Sequence, residues 1–581
     1  MREDKKNMLK TSSMVYKTLV VGVIVLFIGV GIQPTFAITK DFINHPPYEP
    51  SNPIPPDGAE NWTGGGLLWT GGDPDGDLVY CDVYFGNTTP PPEVLHHGTA
   101  TKYIIPGSFE FNKIYYWKIV STDEHGASTE GPIWSFTLGE SYSEHILNVG
   151  GTGEGNYSSI QDAIDNASDG DTVFVFDDSS PYYENIIIYK SINLIGENKE
   201  STIIVDNYSH SSSAVTIKWI NVTITCFTII GEATYNGIEI NFDYSKIFNN
   251  NIIAKEPINI KSSFNSIIKN YLEGGKYTSI SMGSSDSFND IIDNTITGGD
   301  DGIYLIDCND NNIINNRIKC EVSGIRLSES NENTISNNTM DKGGLCLQNS
   351  YNNIISDNYV NDKPILYLHN ESNKVFNQDF GQIIVIDCNN ITIENQVLND
   401  LNTGVYLFKS KNCKIQNNSI SHKTPFSGYG IKVVSCENTI LFNNTLSYLD
   451  GIDIYFSNNT SISYNNILNC RIGISLAYCN NSKIFKNNLV NNSQSIDFYI
   501  GSRNSIVTMN NFYRRRWFFA LFNDPINANN IWYRNYWGRP RILPKMIIGN
   551  LILDDEYPFY KSRFYIKFDW HPALRLYDIK V

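Results

Sequence analysis

Apolar residues in this chain come in short bursts of period two, and the bursts themselves repeat. The unit reads Gly-Ile-x-Leu, a polar turn, Asn-x-Ile, an asparagine bend and a third short apolar run. Gly302-Ile303-Tyr304-Leu305, Gly324-Ile325-Arg326-Leu327, Gly404-Val405-Tyr406-Leu407, Gly451-Ile452-Asp453-Ile454 and Gly473-Ile474-Ser475-Leu476 show it. Period-two alternation predicts strands with one buried face. Repetition every ~22 residues predicts stacked coils, because one such unit cannot bury its apolar face alone. Ile303, Leu305, Ile325 and Leu327 then face the core. Tyr304, Arg326, Cys346, Tyr406, Lys432, Asp453 and Ser475 face outward along one sheet.

Thirteen asparagines mark the bends: Asn251, Asn270, Asn294, Asn316, Asn338, Asn358, Asn377, Asn395, Asn418, Asn444, Asn466, Asn488 and Asn511. An apolar residue follows two places after each, except Asn377, where Phe380 comes three places on. An amide at a fixed bend can bond to those above and below, and Asn tolerates left-handed backbone. The spacing predicts one continuous amide column over residues 146–512. A longer coil between Asn418 and Gly430 holds His422, Lys423, Pro425 and Phe426, and such insertions map to surface loops.

Two flanking regions differ. Residues 45–139 open on Pro46, Pro47, Pro50, Pro53, Pro55 and Pro56, then alternate in short strands such as Leu78–Phe85 and Phe109–Ser121. That spacing predicts a β-sandwich. Residues 513–581 turn basic and aromatic, with Arg514-Arg515-Arg516-Trp517 and Trp532-Tyr533-Arg534-Asn535-Tyr536-Trp537. They predict a cap over the last coil, with Arg stems lying on aromatic faces. Interleaved Arg and aromatic residues also suit an anionic polymer or sugar.

Residues 1–37 read as a secretory signal peptide. Lys5, Lys6, Lys10 and Lys17 precede an apolar stretch from Leu19 to Ile32, and Thr35-Phe36-Ala37 resembles a cleavage site. An uncleaved anchor is the alternative, and a membrane contact is expected only through that segment. The mature chain is expected outside the cell or on its surface. The formal charge of −17 excludes general electrostatic binding of nucleic acid.

Several resemblances follow. Around Tyr115, with Trp69 and Gly131-Pro132-Ile133-Trp134, the first region resembles fibronectin type III domains. Ser159 to Ala167 forms a short amphipathic helix followed by strands, an order similar to the N-terminal cap of pectin-lyase-like right-handed β-helices. The repeats resemble NosD-type and carbohydrate-binding β-helix proteins. Asn535-Tyr536-Trp537-Gly538 and Phe568-Asp569-Trp570-His571-Pro572 resemble closing segments of archaeal surface β-helix proteins. The expected fold is all-β: a fibronectin-like sandwich, then a right-handed single-stranded parallel β-helix capped at both ends.

Ten cysteines accompany the repeat. Cys308, Cys388, Cys436 and Cys479 fall five places after a strand's first core residue, where other coils carry Ser330, Ser350, Ser410 and Ser457. A stack of small inward side chains explains this, and few or no disulfides are expected. No His/Cys/Met cluster stands out, so the NosD resemblance does not carry copper with it.

Candidate chemistry is sparse. Asp73, Asp75 and Asp77 alternate around Gly76 and could converge oxygens on Ca²⁺, the only cofactor suggested; a solvated acidic turn explains them equally. On the outward face Arg326 lies near Asp307 and Glu329, and Asp450 near Asp453, Lys432 and Arg471. A carboxylate base beside a cation suits β-elimination; solvated surface charge explains both clusters as well. The leading expectation is a non-catalytic carbohydrate-binding, adhesive or envelope protein with polysaccharide or envelope glycan as partner. A lyase or epimerase on acidic polysaccharide is the second reading, and a structural stalk the third.

Overall fold

The computed structural model describes residues 44–62, 66–75, 77–98, 102–104, 113–138, 145–207, 213–283, 286–424, 428–499, 501–513, 520–525, 528–554 and 561–579. The leader 1–37, Phe109, Phe111, Pro425, Phe426 and the run from Arg514 to Trp517 lie outside them. The chain forms two compact units that divide between Ser141 and Tyr142.

The first unit is a two-sheet sandwich. One sheet holds Ser51–Ile54, Gly66–Thr70 and Lys102–Ile104; the other is built on Trp134–Leu138, Ile114–Asp123, Val79–Gly86 and Glu93–Gly98. Alternate residues of Ile114–Asp123 turn inward, so Tyr115, Trp117 and Ile119 are buried. They meet Leu67, Trp69, Val83, Phe85, Trp134 and Phe136. Trp117 packs on Trp134 with ring centroids 4.6 Å apart.

The second unit is a right-handed parallel β-helix. Parallel pairing joins Ile280, Ile303, Ile325 and Leu345 in one inward row, and Ile383, Val405, Ile431, Ile452, Ile474 and Ile496 in another. These side chains are buried, as the alternation requires. A glycine precedes most of them, all but Ile280, Ile383 and Ile496, and it is set by close approach between coils. A Cβ on Gly451 would stand 2.4 Å from the Gly473 carbonyl, and one on Gly302 2.6 Å from that of Gly324.

Helix Ile160–Asn166 covers the N-terminal end. Ile160, Ala163 and Ile164 point into the core, and Ser159 caps it. Glu184 adds a second cap, accepting from the Ile160 and Gln161 backbone N–H groups at 2.9 Å each.

The amide column exists but follows a different register from the one expected. Asn250, Asn270, Asn294, Asn316, Asn338 and Asn358 form its first stretch. Gln396, Asn418, Asn444, Asn465, Asn487, Asn510 and Asn535 form the second. In a typical step the Asn316 amide donates to Asn338 Oδ1 at 3.0 Å and to the Ile291 carbonyl at 2.8 Å. Asn251, Asn466, Asn488 and Asn511 are therefore corrected to the residue before each. Asn395 gives way to Gln396, and Asn377 is exposed, outside the column.

The reason is parity. A column residue must precede a core residue by two, as Asn465 precedes Ile467, and a one-residue slip turns the side chain to the other face. Left-handed backbone falls one position earlier than expected, at Asn249, Lys269, Asp293, Asn315 and Asn337. It positions the inward amide rather than residing in it.

Asn265, Asn289, Asn311, Asn333 and Asn353 form a second buried column at another bend, absent from the sequence reading. The cysteine–serine stack is present: Cys308 N–H donates to Ser330 Oγ, Ser330 N–H to Ser350 Oγ, and Cys436 N–H to Ser457 Oγ. All ten cysteines are free thiols.

The winding is interrupted once. After Tyr359–Val360 the chain doubles back, and Lys363–His369 pairs antiparallel with it. The Gln382 side chain bridges the interruption, accepting from Leu345 N–H and donating to the Leu345 and Thr403 carbonyls, all at 2.8 Å. Parallel stacking also runs past residue 512, since Ile531–Tyr533 and Tyr536–Trp537 lie on the preceding coil. The helix thus extends beyond the boundary expected from composition. Asp569, fully buried, ends the column by accepting from Asn535 N–H, Asn535 Nδ2 and Trp537 Nε1 at 3.0, 3.2 and 2.9 Å.

Candidate functional site

The interruption lies beside a recess in the outward face. A cavity of about 220 Å³ opens there, lined by Arg326, Cys346 and Gln348 from one side and Asn402, Tyr406, Tyr429 and Lys432 from the other. Its two cations come from strands more than a hundred residues apart in sequence. Strand parity sends both outward: Arg326 aligns with Tyr304 and Cys346, and Lys432 with Tyr406 and Asp453.

Each cation is held by an aromatic ring and a carboxylate. Arg326 lies 4.8 Å from the Tyr304 ring centroid and donates to Asp301 at 3.4 Å. Its partner is thus Asp301. Asp307 and Glu329 are exposed at left-handed turns beyond the strand ends. Lys432 sits 4.4 Å from the Tyr429 centroid and in the field of Asp453. Arg471 closes an ion pair with Asp450.

These carboxylates resist ionisation. Burial pushes Asp301 above the usual carboxylate range, against the Ser323 hydroxyl and Arg326. Burial raises Asp450 too, opposed by Arg471, and raises Asp453, opposed by Lys432 and Ser475. Asp301 Oδ1 and Asp450 Oδ1 are buried without a hydrogen-bond partner. So Arg326 and Lys432 share one cavity, while Asp450, Asp453 and Arg471 continue along the face beyond Lys432. Sequence reasoning placed Tyr406 on the outward face but missed Asp301's role and the wall that Tyr406 forms with Asn402 and Tyr429. The only signal for that wall was the weak repeat near Asn377.

The long coil lines a second cavity of about 410 Å³ with Asn361, Asn399, Asp400, Ser421, His422 and Lys423. Lys423 pairs with Asp400 at 3.0 Å.

In the sandwich, one oxygen each of Asp73, Asp75 and Asp77 lies within 4.8 Å of the others. Asp73 Oδ1 accepts from the Asp75 and Asp77 N–H groups, and its Oδ2 is buried without a partner. His45 and His125 contact Asp75 and Asp77 through Nδ1 at 3.1 and 3.0 Å.

Comparison with known proteins bears mainly on the solenoid. No curated protein matches the chain. Among solved structures, the family 28 exopolygalacturonase of Yersinia enterocolitica is 10% identical, covering 76% of this chain and 95% of its own, with a TM-score of 0.26. The catalytic domain of a GH87 α-1,3-glucanase in complex with nigerose is 14% identical over 72% and 81%, with a TM-score of 0.33. The Dettilon tailspike protein is 16% identical over 55% and 60%, with a TM-score of 0.28. These likenesses carry no argument about activity. A family model described as periplasmic copper-binding protein (NosD) matches residues 164–342, 220–384 and 341–541. Those stretches overlap into a continuous match across more than half the sequence, and the chain belongs to the NosD family.

Proposed function

We propose that this is an exported surface protein that binds carbohydrate on the outward face of its β-helix, with the cavity between Arg326 and Lys432 as the principal contact. One observation supports this above the rest: two cations, each packed on a tyrosine, flank one polar cavity. Cations and aromatic faces together suit a sugar bearing carboxylates. Calorimetric titration of uronic-acid oligosaccharides against neutral ones tests the reading. Binding that favours the acidic oligosaccharides and falls at least ~10-fold in Arg326→Ala/Lys432→Ala is expected. Binding unaffected by that double variant removes the cavity from the reading; no binding of any glycan leaves the structural stalk.

A lyase or epimerase is the second reading. What favours it is the raised pKa of Asp453 beside Lys432, a pattern that clusters at catalytic sites. Unsaturated product from a uronate polymer, lost in Asp453→Asn, would replace the non-catalytic reading.

The NosD description implies copper, which the described residues do not fit. Their two acidic clusters offer oxygen ligands and at most one histidine. Burial pushes Cys308, Cys320, Cys436 and Cys479 up to about 12, far from the thiolate a soft metal needs. Calcium at Asp73, Asp75 and Asp77 is the metal proposed instead, and the partnerless Asp73 Oδ2 supports it.

A further inference from the structure

The C-terminal cap carries an apolar surface that the carbohydrate reading leaves unused. Strands Lys545–Asp554 and Lys561–Asp569 form an antiparallel pair laid on the last coil. Met546 pairs with Phe568, Ile548 with Ile566 and Asn550 with Phe564. Directly paired residues share a face, so these six form one side of the ribbon. On the other side Ile547 is buried against the solenoid. The first side is uncovered: Met546, Phe564 and Phe568 are all exposed. Trp570 stands 5.1 Å from Phe568. The loop entering the ribbon ends in Ile542 and Leu543, 92% and 76% exposed. Such a density of exposed apolar residues on a protein surface marks an interaction site.

Charge indicates the partner. The chain carries −17 overall, yet residues 534–581 hold nine Lys and Arg against five Asp and Glu. Arg539 and Arg541 flank the exposed loop tip, and Lys545 begins the ribbon. Burial lowers the Lys545 pKa, and the charges of Arg541 and Arg539 lower it further. An isologous pairing with a second copy would set these cations against their own counterparts. An acidic glycan would satisfy the cations and leave Ile542 and Leu543 in water. A bilayer with anionic headgroups satisfies both, because apolar tips enter the acyl boundary while Arg and Lys stay among the phosphates.

We infer that the C-terminal ribbon and the Arg539–Lys545 loop form a docking surface for an anionic lipid membrane. This goes beyond the glycan-binding reading and uses different residues. The test is flotation of the full chain with vesicles of phosphatidylcholine alone and of phosphatidylcholine with phosphatidylglycerol. Partitioning onto the anionic vesicles is expected, weakened when salt rises from 0.1 to 0.5 M and the Debye length shortens about twofold. Ile542→Asp/Leu543→Asp and, separately, Arg539→Glu/Arg541→Glu should each reduce it at least ~10-fold. Ile542, Leu543 and Arg539 are exposed and Arg541 is half-buried, so unchanged circular dichroism of both variants would verify their folding. No partitioning, or partitioning indifferent to both variants, overturns the inference. Self-association by sedimentation that disappears in Ile542→Asp/Leu543→Asp, without vesicle binding, assigns the surface to a second copy instead. Retention on a uronate polymer without vesicle binding assigns it to glycan.

Discussion

Asn465 and Asn466 are adjacent, yet the structure predicts opposite consequences for replacing them. Asn465 Oδ1 accepts from Asn444 N–H at 2.9 Å and Nδ2 at 3.0 Å. Its own Nδ2 donates to the Leu441 carbonyl, the Ser463 carbonyl and Asn487 Oδ1 at 2.9, 3.1 and 3.0 Å. Leucine removes all five bonds. Asn444 Nδ2 keeps the Ile415 carbonyl, and Asn487 Oδ1 keeps the Asn465 N–H. The Asn444 N–H loses its acceptor. An orphaned buried donor costs about 1–3 kcal/mol, and thinning the other bonds costs about as much again. Leucine burial returns about 1.5–3 kcal/mol. The net is a loss of about 2 kcal/mol, felt locally because each coil contacts only its neighbours. Asn466, half-exposed on the outward side of its strand, should tolerate leucine within about 0.5 kcal/mol. Hydrogen exchange by mass spectrometry reads both. Peptides across residues 440–490 of Asn465→Leu should exchange roughly 30-fold faster, since 1.4 kcal/mol is tenfold. Peptides from the first coils should not change. Equal protection in the two variants, or a greater loss in Asn466→Leu, would refute the assignment of the column.

Three further outcomes are expected. Asp286 is buried, accepts from Gly283 N–H at 3.4 Å, and is raised by burial to about 6. The folded state therefore holds this proton more tightly than the unfolded chain. The resulting stability is present below about pH 4 and is lost as pH rises towards 6, by up to about 3 kcal/mol. Asp286→Asn should raise the pH 7.5 melting temperature and flatten the pH 4–6 dependence; an unchanged slope counts against the assignment. Calcium at tenfold over its dissociation constant should add about 1.4 kcal/mol to the sandwich's unfolding transition, and Asp73→Asn should abolish the gain. A transition indifferent to millimolar Ca²⁺ ends that proposal. Asp569→Ala leaves three buried N–H groups without their carboxylate and should cost about 3–5 kcal/mol, seen as early proteolysis of the C-terminal strands. Resistance equal to the native chain would show that the column needs no terminal acceptor.

The inward rows were legible in the sequence because Gly-Ile-x-Leu fixes parity without ambiguity: the glycine has no room for a Cβ, and the alternation follows. The cysteine–serine stack was legible for the same reason. The amide column was not legible at the pairs Asn250-Asn251, Asn465-Asn466, Asn487-Asn488 and Asn510-Asn511. In Asn250-Asn251-Ile252-Ile253 an apolar residue follows two places after either asparagine, and only the neighbouring coil decides which one turns in. The interruption was hidden by Asn377 and Asn395, which keep the spacing although the chain has folded back between Asn358 and Asn377. The cavity needed that fold-back, so Arg326 and Lys432 could be named as outward cations but not as neighbours. Asp301 as the partner of Arg326 depends on a contact between adjacent coils, which spacing alone does not rank against Asp307 and Glu329.

The reversal at Lys363–His369 also governs how the rod responds to tension. Amide bonding stops at Asn358 and resumes at Gln396, and the gap beside it is spanned by isolated contacts from the Gln382, Asn361 and Asn402 side chains and the Gly343 backbone. Pulled from its two ends, the molecule should part there first, as two separate zippers meeting at a seam. The cavity walls lie on opposite sides of that seam, so stretching the tether would draw Arg326 and Lys432 apart before either half unwound.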